Sequence, residues 1–119
     1  MTHTTHEALR ELDRVAAEIE SKNLPFDMSE WGNPACGTEG CLAGWAMIYP
    51  WFKEHGLVTV EEGTEPNYRG ADSTHALEEF FGLEGSETDR LFFAYTATVA
   101  TQRAVIADLL ATVEDRRVP

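Results

Sequence analysis

Two cysteines and two histidines carry the sharpest chemical options in this chain. Cys36 and Cys41 bracket the run Cys36-Gly37-Thr38-Glu39-Gly40-Cys41. Together with His55 and His75 they form a Cys2His2 set of the kind that holds zinc, although the spacing matches no standard finger. A second option is nucleophilic. Thr38 is a good helix N-cap, which would put Cys41 near the third helical position, where the helix N-terminus lowers a thiol pKa. His75 is the available base for that arrangement. The third option is packing, since free cysteine is among the most buried residue types. The composition favours packing, because a domain of this size has core enough without a metal. A disulfide between the two would close a short loop, and a reducing compartment disfavours it.

The other chemical feature is a run of carboxylates. Residues 61–89 contain Glu61, Glu62, Glu65, Asp72, Glu78, Glu79, Glu84, Glu87 and Asp89 against the single base Arg69, a net charge of −8. The whole chain has 119 residues, with 21 acids, 9 bases and a formal net charge of −12. Two thirds of the net charge therefore sits in about a quarter of the chain. Such a balance excludes phosphate contacts of the Lys/Arg type, so no direct nucleic-acid binding is expected, and no binding to anionic membranes. An acidic face of this kind either keeps the chain in solution or docks a basic protein partner, in the extreme by mimicking nucleic acid.

The elements that position these groups read as mainly α. Residues 5–22 form an amphipathic helix, with Leu9, Leu12, Val15, Ala16 and Ile19 at helical spacing and Thr4/Glu7 as a capping box. A second helix is expected from about residue 39 to 49, ended or kinked by Pro50, with one more turn before Gly56. Residues 57–60 have the β-branched content of a short strand, and residues 61–70 read as a loop or hairpin tip. Asp72 or Ser73 caps a third helix that Gly82 ends. Ser86 to Asp89 reads as a second capping box opening a helix to about residue 95, and the last helix covers about residues 98–115. The third and fourth helices have the outline of a helix-turn-helix, but the second of them opens on carboxylates, which argues against DNA. The expected fold is one small domain over residues 1–119. It is a bundle of about five helices with at most a minor two-stranded β element, frayed at residues 1–4 and 116–119. Hydrophobic content of 43% fits a globular chain. No secretory signal is visible, so a cytoplasmic setting with reduced thiols is expected.

Gly40 and Gly44 stand four apart in the second helix, where each glycine costs about 1 kcal/mol relative to alanine. Close packing against the first or last helix is the expected reason. The same stretch carries a resemblance. Cys36-Gly37-Thr38-x-x-Cys41-x-Ala43-Gly44-Trp45-Ala46 resembles a pattern in small, uncharacterised bacterial and phage proteins. The likeness extends upstream to Phe26, Met28 and Trp31, and downstream to Ala76, Gly82-Leu83 and Leu91-Phe92. It covers roughly residues 26–93 and implies a shared fold and a bacterial or phage setting, and no catalytic residue carries over from it. The functional expectation is a non-enzymatic accessory protein with an acidic docking face. The alternative is a small cysteine-dependent or zinc-binding protein centred on Cys36, Cys41 and His75.

Overall fold

Thr4 opens the first helix as the sequence requires. The Glu7 amide donates to Thr4 Oγ1 at 3.2 Å, and the Thr4 amide donates to Glu7 Oε1 at 3.0 Å. Two of the donors that every helix start leaves free are thereby satisfied. This helix, α1, spans Thr5–Lys22 and buries Leu9, Leu12, Val15, Ala16 and Ile19, the face expected from the periodicity, together with Thr5 and Ala8. Asn23 ends it in the left-handed conformation. The computed structural model describes residues 2–28, 31, 40–59 and 65–119. Cys36, the expected cap Thr38, and Glu61 and Glu62 fall outside the described residues.

The second helix is shorter than the sequence suggests. Gly40 is extended and bridges Phe26, with the Asp27 amide donating to the Gly40 carbonyl at 3.0 Å. Only after Cys41, now the N-cap, does α2 run, over Leu42–Ala46. Glycine's low helix propensity lets this tertiary bridge take Gly40 out of the helix. Pro50 then opens a separate helix, α3 (Pro50–Glu54), at the first position, where its missing N–H costs nothing. Gly44 does admit a close neighbour, but not a helix: a Cβ built there falls on the carbonyl oxygen of Trp31.

Strands β2 (Val58–Thr59), β3 (Pro66–Tyr68) and β4 (Ala71–Asp72) pair antiparallel in that order. Three strands thus replace the two expected, because residues 66–72 form a hairpin of their own. Its turn residues, Arg69 and Gly70, have φ of 52° and 87°, the pair of positive values that a tight hairpin turn needs. Helix α4 (Ser73–Phe81) follows from N-cap Asp72 and stops at Gly82, as expected. Helix α5 spans Gly85–Phe92, capped by Glu84 and not by Ser86. The Glu84 amide donates to Glu87 Oε1 at 2.9 Å. That earlier register lets Thr88 turn inward and give its hydroxyl to the Glu84 carbonyl. Helix α6 (Val99–Thr112) starts at the Thr98 cap and stops before residue 115. Its buried Gln102 donates to the Arg90 and Leu91 carbonyls, two acceptors left open by the end of α5.

Fraying is expected at residues 1–4 and 116–119, of which the structure describes residues 2–4 and 116–119. β1 (His3–Thr4) pairs antiparallel with β5 (Arg117–Val118), and both His3 and Val118 are buried. The fold is a mainly α small domain, with six helices among the described residues and α1 packed on α6, α2 and α4 around one continuous core.

Candidate functional site

Burial of one side of α4 and α5 dictates what the other side shows. α4 turns Ala76, Leu77, Phe80 and Phe81 into the core, and α5 turns in Thr88, Leu91 and Phe92. The remaining positions hold Glu79, Glu84 and Asp89 exposed and Glu78 and Glu87 partly so. Glu65 and Asp72, just before α4, are exposed as well. The described carboxylates of the acidic segment therefore all reach solvent, on two helices that pack together.

Pairing distinguishes these acids from five acids elsewhere in the chain. The ion pairs among the described residues are Glu11–Arg14, Glu18–Lys22, Asp108–Arg90, and Asp13 and Glu20 with Arg103. Every acid in that set lies outside residues 61–89. Among the described residues, none of Glu65, Asp72, Glu78, Glu79, Glu84, Glu87 or Asp89 has a basic group within ion-pair distance. Arg69, the one base of the segment, lies over the Tyr68 ring, 5.1 Å from its centre. Sequence counting locates the charge; Glu11–Arg14 and Glu18–Lys22 are local i,i+3 and i,i+4 pairs, while the pairs of Arg90 and Arg103 appear only in three dimensions.

The cysteine and histidine candidates are placed differently. Cys41 is only 2% exposed, and burial pushes its thiol above the usual value, against the opposing pull of the Gly44 and Ala43 amides. It caps a helix of five residues and does not stand inside one, so the expected dipole effect is weak. His75 is exposed on α4, while His55 follows α3, stacks on Trp51 at 4.1 Å and hydrogen-bonds through Nδ1 to the Trp51 carbonyl at 2.7 Å. No three His, Cys, Asp or Glu side chains among the described residues form a metal-holding group. A protected, protonated Cys41 leads to a direct expectation. In a Cys36→Ser variant, a thiol reagent should label Cys41 only as fast as the native protein opens, between pH 6 and 9. Rapid stoichiometric labelling at pH 7 would contradict its burial.

His3 is the residue whose place the sequence hides most fully. It is 2% exposed, with Nε2 2.6 Å from the Phe80 carbonyl oxygen and its ring 4.4 Å from that of Phe80, 5.3 Å from His55 and 5.5 Å from Trp51. No local pattern marks it, because its strand is two residues long and its partner strand is at the other end of the chain. No helix among the described residues is long and apolar enough to cross a membrane. Comparison of the chain with family models, with curated proteins and with solved structures gives no match.

Proposed function

We propose that the protein is a non-enzymatic interaction protein, and that the acidic face of α4 and α5, with Glu65 and Asp72 leading into it, binds a basic protein partner. One observation supports this reading: four of the nine lysines and arginines pair with acids elsewhere, and among the described residues none forms an ion pair with this face. Carboxylates grouped within about a Debye length of 8–10 Å reinforce one another's field and attract an opposite surface before contact. A finer form of the same reading is nucleic-acid mimicry, in which the carboxylates stand where phosphates would and occupy the partner's basic groove. The same charges repel nucleic acid itself.

The test compares two sets of substitutions with equal charge change. Glu78→Gln, Glu79→Gln and Asp89→Asn together remove three of the face's carboxylates without touching the Glu84/Glu87 cap. Glu11→Gln, Glu18→Gln and Glu20→Gln neutralise three acids that are already paired. The first set is expected to weaken binding to poly-L-lysine by about tenfold or more at low salt, and the second by much less. Equal losses would mean that only total charge matters and would sink the proposal.

A further inference from the structure

The strand pair that joins the chain ends is held by a histidine with one partner too few. The Phe80 carbonyl can only accept, so His3 Nε2 carries the proton of the 2.6 Å hydrogen bond. In the neutral ring Nδ1 is then a bare acceptor, and among the described residues it is buried without a hydrogen-bond partner. A second proton would place an N–H with no acceptor, and a full charge, among the rings of Trp51, Phe80 and His55. The charged and titratable groups that face His3 come from three elements: His55 after α3, Glu7 on α1 and Arg69 in the β3–β4 turn. Burial lowers the His3 pKa most. The Phe80 carbonyl, at the end of α4, and Glu7 oppose that, while His55 and Arg69 add to it, and the net direction is down.

What His3 latches is well defined. Beside its pairing with Val118, the Thr5 amide donates to the Arg116 carbonyl at 2.8 Å, and Arg116 Nη1 donates to the Gly82 carbonyl at 2.7 Å. Tyr68 Oη donates to the terminal Pro119 carbonyl at 3.3 Å. The contact is tight, since a Cβ on Gly82 would meet Thr5 Oγ1 at 2.5 Å and Val118 Cγ2 at 3.4 Å. The clasp therefore ties β5 to the start of α1, the end of α4 and the hairpin. The packing of α1 on α6 is a different part of the same core.

We propose that the paired chain ends form an acid-released clasp, opened by protonation of His3. In the open state His3 is solvated and titrates near its ordinary value of about 6.5, above its value in the closed state. The open state binds the extra proton, so closure is strongest above pH 6.5 and weakens as pH falls below it. The dependence reaches at most about tenfold per pH unit and levels off once the closed form also protonates. Unclasping would uncover Phe80, Trp51 and Tyr68 while leaving the helical core standing. The inference rests on the chain ends alone and does not depend on the acidic face.

Amide hydrogen exchange followed by NMR between pH 7.5 and 5 reads this directly. The protection factor of the Thr5 amide is expected to fall by severalfold to tenfold per pH unit below 6.5, with the Leu12 and Ile106 amides unchanged. The His3 ring resonances should titrate over the same interval. His6→Gln and His55→Gln variants should keep the effect, which controls for the neighbouring His6, bonded to the Val113 carbonyl at 2.8 Å, and for His55. His3→Gln should abolish it. Constant Thr5 protection down to pH 5 in the unaltered protein would overturn the proposal, as would the same pH-dependent loss in His3→Gln. The first of these readings needs no variant to fold.

Discussion

Phe80→Ala is expected to lower the unfolding free energy by about 3–5 kcal/mol, the range for truncating a fully buried aromatic residue. Phe80 is 0% exposed, and its ring neighbours come from several parts of the fold. His3 of β1 lies 4.4 Å away, Tyr68 of β3 5.1 Å, Phe81 5.2 Å, Phe52 of α3 5.7 Å and Trp51 6.0 Å. A void at a junction of separate elements collapses only by moving all of them, which places the cost in the upper part of the range. Urea unfolding should show a lower midpoint with an unchanged slope. A loss under about 1 kcal/mol would mean that the aromatic cluster is not packed as described.

Gly44→Ala tests a reversal of sign. In an ordinary helix interior, alanine for glycine gains about 1 kcal/mol. In α2 the new methyl would meet the Trp31 carbonyl oxygen, a backbone atom that cannot turn aside as a side chain would. Gly44 is itself buried, so there is no route to solvent either. The expected outcome is a net loss of about 1–3 kcal/mol from overpacking, read by thermal or urea unfolding. A gain in stability would show that Trp31 does not sit against this helix.

These two positions also show how far the amino-acid sequence reaches. Gly44 is visibly anomalous in a helix, so a close approach is foreseeable, yet nothing local says that the neighbour is the Trp31 backbone and not α1 or α6. The first helix is fully legible, because its cap and its periodicity are both local signals. The fifth is legible only in part. Ser86…Asp89 reads as its capping box, but the helix starts two residues earlier, with Glu84 as cap and Thr88 and Leu91 buried. The split between α2 and α3 follows from Pro50, but the late start of α2 depends on the Phe26–Gly40 bridge, a tertiary contact. The clasp is illegible for the same reason in stronger form: strands of two residues have no alternation to detect, and their pairing spans the chain.

The acidic face divides along the same line. Its nine carboxylates and one arginine are a property of composition that any count finds. That Arg90 and Arg103 are committed to acids distant in the chain is a property of the fold, while Arg14 and Lys22 pair with acids of their own helix at i,i+3 and i,i+4. Exposed ion pairs of this kind each contribute little to stability, with a median of about 0–1 kcal/mol. Their consequence for the proposed function is that, among the described residues, no base forms an ion pair with the acids of α4 and α5. The buried cysteine, in contrast, is the residue type that invites a chemical reading and the one that the fold withdraws from solvent.

The most direct measurement of the central claim is calorimetric titration of the protein with poly-L-lysine over a salt series from about 20 to 300 mM. If the uncompensated face is a docking surface, binding is measurable at low salt and weakens steeply as salt rises, because the Debye length shortens from about 20 Å to under 6 Å. Neutralising Glu78, Glu79 and Asp89 should flatten that salt dependence, and neutralising Glu11, Glu18 and Glu20 should leave it nearly intact. Absence of binding at 20 mM salt, or an affinity that does not change across the series, would contradict the account.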